Sequence, residues 1–151
     1  MASFISEDNI EQAIIQKLVK DYDYQTLNCY TTVPDDLNDG SHRTDKREVV
    51  LHDRLKAAAV RLNPGIPEDI LDRALAELTQ RRYAMSPALA NREVDRLIRE
   101  GIPVEYPNAD GKTEHARVRV IDFNARERNE FLAVSQLWIR GEFRYRRPDV
   151  L

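Results

Sequence analysis

The residues best suited to chemistry lie at the end of the chain, where a basic pair and a Pro-Asp step lead into apolar residues over Arg146–Leu151. A carboxylate at the start of such a strand can bind a divalent cation. With a second carboxylate and a lysine on a neighbouring strand, it would activate water for attack on a phosphodiester. Pro-Asp is also a common turn-forming pair, so Asp149 has two interpretations, a metal ligand or a turn residue.

Positive charge is concentrated near Asp149. The net charge of −3 provides no overall attraction for nucleic acid. Locally, however, only two acids oppose a group of C-terminal arginines, which are Arg140, Arg144, Arg146 and Arg147. These side chains can contact phosphates beside a metal centre. Alternating charge on an edge hairpin explains them equally well.

Several other chemistries find no support in the residue pattern. The single cysteine, Cys29, cannot form an internal disulfide and is expected to be a buried thiol. The histidines His42, His52 and His115 lack the spacing of a zinc site. No G-x-x-x-x-G-K-[ST] loop for ATP phosphates occurs. No apolar run approaches the roughly 20 residues that span a bilayer, and Met1–Ile5 lacks a basic start, so we expect a cytoplasmic protein.

The elements that must position Asp149 begin with an amphipathic helix. Ser6 is a suitable N-cap, and helical spacing of apolar residues predicts helix one over residues 7–20. Residues 21–43 are rich in turn formers and read as a long ordered loop with a short strand at 26–31.

A block of helices is expected next, over residues of about 44–101. Thr44 or Asp45 is predicted to cap its first helix, and Pro67 to occupy the first turn of the second. Ser86 begins the third, which ends at Gly101. We interpret this block as an insertion packed at one side of a sheet.

Strands are predicted over residues of about 104–151. Val104–Tyr106 and Ala116–Ile121 flank a hairpin turn at residues 108–111, Phe131–Ile139 reads as a central strand, and a last strand runs from Phe143 to Leu151. The expected fold is α/β (α+β): a mixed sheet of four or five strands, backed by helix one, in a single domain of residues 1–151. Because the last strand runs to the final residue, we expect a domain truncated within its core.

Ordered blocks along almost the whole chain resemble the N-terminal region of type I restriction enzyme R subunits. The blocks are Phe4–Asp8, Leu27–Tyr30, Asp36–Gly40, Arg43–Leu51, Ala90–Glu93, Gly101–Tyr106, Val118–Phe123, Asn129–Val134 and the terminal Arg146–Leu151. Their order along one chain is more specific than any single block. The terminal block resembles the first half of a PD-(D/E)xK nuclease site.

The resemblance implies a restriction-endonuclease-like nuclease domain at the start of a large subunit. Such subunits carry two helicase-like ATPase domains, use ATP to translocate double-stranded DNA, and cut it with magnesium at the nuclease centre. They assemble with methyltransferase and specificity subunits. The implied activity is that of a type I site-specific deoxyribonuclease, an endonuclease and hydrolase.

The resemblance also assigns roles to individual residues. It makes Asp149 the metal-binding and catalytic aspartate, and Glu11 the second candidate, because related nucleases place an acid of helix one near the metal. Glu7 and Asp8 compete for that role, and a surface acid that complements the helix dipole is the alternative for Glu11. Gln136 resembles a strand position of the family, but a satisfied buried amide explains it equally well. Arg144, Arg146 and Arg147 are the candidate DNA contacts.

The chain departs from the family pattern at its end, because no E-x-K half of the nuclease motif follows Asp149. We therefore expect the isolated chain to be inactive. Two alternatives to a nuclease part remain: a non-catalytic module that docks onto other subunits, and a degenerate fragment without activity.

Overall fold

The computed structural model describes residues 6–151. Phe4 and Ile5, which begin the first block of the family resemblance, lie outside the described residues. Helices dominate the first two thirds of the described chain and short strands the last third. In chain order the elements are α1 (Glu7–Tyr22), β1 (Gln25–Asn28), α2 (His52–Leu62), α3 (Glu68–Thr79), α4 (Pro87–Glu100), β2 (Ile102–Pro107), β3 (Thr113–Val118), a 3-10 turn (Arg126–Arg128), β4 (Leu132–Ser135), β5 (Ile139–Arg140) and β6 (Tyr145–Arg146).

These elements form two compact units, and the predicted α+β class is confirmed. The first unit combines the described part of Met1–Leu51 with Glu130–Leu151. The second unit is the intervening stretch, His52–Asn129.

Helix α1 opens the first unit and has the capping that its sequence predicts. The Ser6 hydroxyl accepts a hydrogen bond from the backbone N–H of Asn9, 3.3 Å away, which satisfies one of the free N–H groups of the first turn. The helix ends where Asp23 adopts a left-handed conformation, with φ 59°. None of the residues of α1 is buried, and Ile10 and Ile14 are 51% and 46% exposed.

The first unit contains both parallel and antiparallel strand pairing, as expected of a mixed sheet, but over fewer residues than predicted. Strand β1 pairs in parallel with β4, in a register that places Gln25 opposite Leu132 and Asn28 opposite Ser135. On the other side of β4, Ser135 forms an antiparallel bridge with Val150. Strand β4 is therefore central, as predicted, since it contacts chain on both sides.

The predicted lengths of the strands were wrong. Among the described residues the pairing consists of three two-stranded sheets and the bridge at Val150, without a continuous sheet of four or five strands. The strand predicted over Phe131–Ile139 ends at Ser135, where Gln136 leaves the extended region and takes a left-handed conformation (φ 58°). The strand predicted from Phe143 to Leu151 is likewise divided into β6 and the separate contact at Val150.

The second unit contains the predicted helices, with one correction. Helix α2 begins at His52 rather than near residue 44, so Thr44 and Asp45 do not cap it. Their side chains close a preceding turn instead: the Thr44 hydroxyl donates to Glu48 Oε1 at 2.6 Å, and Asp45 Oδ1 accepts from the backbone N–H of Arg47 at 2.8 Å. Polar side chains that bond to nearby backbone compete with helix formation in this way.

The remaining helix ends in the second unit follow the sequence closely. Pro67 lies at the N-cap of α3, one position before the predicted one. Ser86 caps α4, and Gly101 ends it with a positive φ of 82°. A β-carbon at Gly101 would lie 3.2 Å from the Val118 carbonyl oxygen, so this close approach also favours glycine.

One apolar core holds the second unit together. Helices α2 to α4 contribute most of it, and the β2–β3 hairpin supplies Ile102 and Val118, both fully buried. The hairpin turns at Asn108, whose side-chain oxygen accepts from the N–H groups of Asp110 and Lys112. The predicted hairpin is confirmed, with strands that begin and end a few residues from the predicted positions.

Among residues 6–151, no helix combines the length and the apolar character that crossing a membrane requires.

Candidate functional site

Two candidate catalytic carboxylates, Glu11 and Asp149, line the same open cavity in the first unit. The cavity has a volume of about 430 Å³. The first two turns of α1 form one wall and the C-terminal segment forms the other, and the lining residues are Glu7, Ile10, Glu11, Ile14, Asp149 and Val150. Residues far apart in the sequence thus meet around one space that water and a ligand can enter.

Helix geometry selects which acids of α1 reach this cavity. Glu7 and Glu11 are four residues apart and share a helix face, whereas Asp8 points elsewhere and is not among the lining residues. Glu7 and Glu11 therefore remain candidates for the metal ligand of helix one, because both line the cavity and Asp8 does not. Glu11 is the more enclosed of the two, since it is partly buried while Glu7 is exposed.

Backbone pairing with β4 positions Asp149. The Asp149 carbonyl accepts from the backbone N–H of Gln136 at 3.1 Å, and Leu151 and Val134 exchange two backbone hydrogen bonds of 2.8 and 3.0 Å. The Asp149 side chain is exposed, so its carboxylate faces solvent. The C-terminal segment is thus held along β4 while its carboxylate stays accessible.

Gln136 connects the carboxylate of Glu11 to the backbone of Asp149. Its side-chain amide donates to Glu11 Oε2 at 2.7 Å, and its backbone N–H donates to the Asp149 carbonyl. The left-handed backbone of Gln136 is uncommon for a residue other than glycine and has an energetic cost, which such residues bear mostly at functional sites. The amide is satisfied, as the sequence suggested, but Gln136 is half-buried rather than buried, and its partner is a candidate site residue.

The oxygen atoms around this cavity suit a magnesium ion. Mg²⁺ is commonly bound by one or two carboxylates, and waters and substrate phosphates complete its shell. Glu11 and Asp149 provide two carboxylates, and the hydrogen bond from Gln136 occupies only one oxygen of Glu11. Within residues 6–151 there is no group of three or more His, Cys, Asp or Glu side chains placed to hold a metal ion by themselves. The cavity lining does include two or more carboxylates, and Mg²⁺ commonly takes one or two from a protein.

The candidate DNA-binding arginines lie beside the cavity in sequence but are not among its lining residues. Arg144 and Arg146 are exposed. The Arg147 guanidinium lies 5.0 Å from the ring centroid of Trp138 and 5.5 Å from that of Tyr30, which are cation–π distances. All three arginines are exposed, and Arg147 differs in lying over two aromatic rings.

Comparison with known proteins identifies the family. The family model described as type I restriction enzyme R protein N terminus matches residues 4–151. The chain belongs to this family. A curated relative, the type I restriction enzyme HindI endonuclease subunit of Haemophilus influenzae, is 31% identical over 97% of this chain. The chain spans 14% of that relative's length. No solved structure matches the chain.

A buried ionic network lies in the first unit of this R-protein N terminus. The Asp39 carboxylate accepts from Lys46 Nζ at 2.6 Å and from Arg43 Nη2 at 3.0 Å, and all three side chains are at least 97% buried. Burial, the largest single influence, opposes ionisation of Asp39. Hydrogen bonds from Lys46, Ser41 and Arg43 outweigh it together and hold the pKa of Asp39 well below its usual range.

This network ties the loop before α2 to the region of β5. Arg43 Nη2 also donates to the Trp138 carbonyl at 3.0 Å, and the Lys46 carbonyl accepts from the backbone N–H of Arg140 at 2.9 Å. Cys29 lies nearby and is fully buried, as predicted. Burial, followed by the charge of Asp39, raises the pKa of the Cys29 thiol to about 11 although Arg43 and Lys46 oppose the shift.

Sequence reasoning missed the network and left the role of Gln136 open. Arg43–Leu51 belongs to a block of the family resemblance, but no periodicity indicated that its cations are buried. The sequence offered one signal for the network, the spacing of its charges. Asp39, Arg43 and Lys46 lie four and three residues apart in a segment rich in turn formers. Such spacing is also typical of exposed charges, so it does not identify a buried network by itself.

Proposed function

We propose that this chain contributes the carboxylates of a magnesium-dependent nuclease centre to a type I restriction enzyme. In the complete enzyme, cleavage of double-stranded DNA is coupled to ATP-driven translocation by regions outside these 151 residues. Methyltransferase and specificity subunits are the proposed protein partners, and the cytoplasm is the proposed location.

One observation carries this proposal: Glu11 and Asp149, 138 positions apart in sequence, line one open cavity. Both accept a hydrogen bond from Gln136, Glu11 through its carboxylate and Asp149 through its backbone carbonyl. If Gln136 had no role at the site, its side-chain amide could donate to any nearby acceptor. Here the acceptor is the carboxylate of Glu11, which lines the cavity. The backbone N–H of Gln136 also donates to the backbone carbonyl of Asp149, the second candidate. Membership of a restriction-enzyme family supports the same reading.

In this proposal the residues have distinct tasks. Asp149 and Glu11 would hold a magnesium ion, which when bound would supply charge stabilisation at the phosphate and an activated water. Gln136 orients the Glu11 carboxylate through its amide. Arg144 and Arg146 contact phosphates of the bound duplex, and Arg147, which lies over two aromatic rings, contributes positive charge close to Asp149 in the chain.

The decisive experiment replaces Asp149 in a complete enzyme whose R subunit contains this chain. Asp149→Asn preserves the shape of the side chain and removes its charge. We expect cleavage to fall by more than about 100-fold, since loss of even an outer partner of a metal ligand typically costs 10- to 100-fold. ATP hydrolysis should stay near wild type, because the motor lies elsewhere.

Matched variants separate the site from general effects of charge. Glu11→Gln should slow cleavage most strongly at limiting magnesium, whereas Asp8→Asn on the same helix should cleave at the wild-type rate. Asp110→Asn, at the exposed turn of the β2–β3 hairpin, is the control for Asp149. Wild-type cleavage by Asp149→Asn would remove this residue from the nuclease centre.

The chain by itself is a separate test. It contains neither an E-x-K segment after Asp149 nor a phosphate loop for ATP. We therefore expect the purified 151-residue chain neither to cleave DNA nor to hydrolyse ATP. Magnesium-dependent cleavage that co-purifies with the chain and disappears in Asp149→Asn would contradict this expectation.

A further inference from the structure

The most exposed large apolar side chain among the described residues is at the tip of the β5–β6 hairpin. Ile139 pairs with Arg146, and Arg140 with Tyr145. The Gly141 N–H donates to the Arg144 carbonyl at 2.9 Å and closes the turn. Phe143 is at the corner of this turn and is 91% exposed.

The stem of this hairpin is held firmly. Trp138 Nε1, at its start, donates to the Thr31 carbonyl at 3.2 Å. The Arg140 N–H donates to the Lys46 carbonyl of the buried ionic network at 2.9 Å, and the Tyr145 hydroxyl donates to Asp35. Trp138 and Tyr145 also meet edge to face, with ring centroids 6.3 Å apart. The exposed phenyl ring is therefore carried on a fixed base, which lowers the entropy cost of using it for binding.

The charge around the tip matches a phosphate backbone. Arg140, Arg144 and Arg146 are all exposed, and Glu142 is the only acid between residues 139 and 148. Three exposed arginines around one apolar ring supply the cationic groups that contacts to a phosphate backbone require. Proteins that bend DNA frequently insert apolar side chains, Phe among them, between base steps, with Arg and Lys side chains in the groove beside them.

The position of the hairpin also suits DNA near the proposed nuclease centre. Phe143 and Asp149 are six residues apart, so the chain can separate their α-carbons by at most about 20 Å. Because base pairs are spaced 3.4 Å along the duplex axis, this distance corresponds to roughly six base pairs. A ring at the tip would contact the same stretch of duplex whose backbone reaches Asp149.

We propose that the β5–β6 hairpin is a DNA-binding wedge, in which Phe143 enters the groove against the base pairs while Arg144 and Arg146 contact the flanking phosphates. This inference rests on the proposed function, since it takes duplex DNA to be the substrate of the neighbouring site. It adds a contact to the bases that the carboxylates and arginines do not supply. The wedge keeps the duplex seated at a fixed distance from Asp149.

Site-specific photocrosslinking in the assembled enzyme tests this contact directly. Phe143→p-benzoylphenylalanine should crosslink to long duplex DNA in a magnesium-independent way, because the wedge and the carboxylates are different groups. Phe123→p-benzoylphenylalanine is the matched control, since Phe123 is also exposed, at 62%, but is in the second unit. Crosslinks from position 143 to another subunit, with none to DNA, would overturn the proposal.

Substitution tests the contribution of the ring. Phe143→Ala should slow cleavage by about 10- to 100-fold, the range expected when one aromatic contact to a base is lost, and Phe143→Tyr should restore most of the rate. The magnesium dependence of the residual cleavage should be unchanged, which distinguishes the wedge from the metal site. Wild-type cleavage by Phe143→Ala overturns the wedge while leaving the effect of Asp149→Asn to decide the proposed function. Conversely, a DNA crosslink at position 143 combined with full cleavage by Asp149→Asn supports the wedge and contradicts the nuclease centre.

Discussion

The two units of this chain are stabilised by different means. The second unit has an aliphatic core of eight buried residues, in which Leu71, Leu97, Ile102 and Val118 are essentially inaccessible to solvent. The first unit has an apolar cluster of only three buried residues, Cys29, Val134 and Leu137, next to the network of Asp39, Ser41, Arg43 and Lys46. Apolar packing is non-directional, whereas hydrogen-bonded charges define angles and distances.

This difference indicates which part of the chain needs a defined geometry. A buried ion pair contributes little net stability, because removing both charges from water costs about as much as their attraction returns. In the first unit the network instead joins the loop before α2 to the backbone at Trp138 and Arg140, which leads into the β5–β6 hairpin and Asp149. We infer that the network sets the geometry of the candidate site, while the second unit relies on the volume of its core.

The largest effect is expected from breaking the network with a substitution that conserves shape. Asp39→Asn leaves Arg43 and Lys46 buried with an uncompensated charge, and this should lower the free energy of unfolding by about 3–5 kcal/mol. Urea titration measures the change. Asp36→Asn, at an exposed position in the same loop, is the control and should change it by less than about 0.5 kcal/mol. A loss below about 1 kcal/mol in Asp39→Asn would show that the network is not a structural requirement.

In the second unit, a comparable loss of free energy of unfolding should follow only when a substitution removes side-chain volume from the apolar core. Leu97→Ala leaves a cavity in the aliphatic core and should cost about 2–5 kcal/mol, whereas Leu97→Met conserves volume and should cost less than about 1.5 kcal/mol. Hydrogen exchange of α3 amides reports the local opening. Leu89→Ala on the same helix is the control, since Leu89 is 55% exposed. Equal losses in the Ala and Met variants of Leu97 would contradict a core held by packing volume.

Acid should weaken the first unit through Asp39. Its folded pKa is depressed, so its contribution is complete above the unfolded value of about 3.9 and is lost as pH falls from there toward the folded pKa. The stability difference between wild type and Asp39→Asn should therefore be constant near neutral pH and shrink below about pH 4. Because other carboxylates are common to both proteins, the difference isolates Asp39. A difference that persists unchanged to pH 2 would contradict the assignment.

Loss of a helix cap should lower the free energy of unfolding equally in the two units, and by less than the substitutions at Asp39 and Leu97. Ser6→Ala and Ser86→Ala each remove one hydroxyl that accepts from a first-turn N–H. Each should cost about 1 kcal/mol, and Ser→Asp at either position should restore it. Circular dichroism during urea unfolding measures both. A cost confined to one unit would show that the local capping energy depends on the packing around the helix.

The smallest effect concerns Cys29, whose native reactivity should be very low. Its thiol is fully buried and its pKa is raised to about 11, so little thiolate is present at pH 8. Labelling with a disulfide reagent should follow unfolding of the first unit and should accelerate in Asp39→Asn. Rapid labelling of the native wild-type chain would contradict the buried position.

Local sequence signals determined much of this fold because they act within one or two turns of chain. Ser6 and Ser86 before apolar periodicity, Gly101 after it, and the Asn108–Gly111 turn predicted helix ends and a hairpin that the structure contains. The ordered blocks likewise identified the family, and the end of the chain drew attention to Asp149. Where local signals competed, as between the side-chain bonds of Thr44 and a helix start, the prediction was wrong.

Tertiary structure alone decided what lies around the candidate site, because the contacts that matter there are long-range. Gln136 and Glu11 are 125 residues apart, and no local pattern predicts that they meet or that Gln136 breaks its strand with a positive φ. The choice of Glu7 and Glu11 over Asp8 depends on which face of α1 lies on the cavity. The buried Arg43 guanidinium finds one of its acceptors at the Trp138 carbonyl, 95 residues further along the chain. A charged segment looks the same in sequence whether its charges face water or each other, and only the folded chain supplies the partners that distinguish the two.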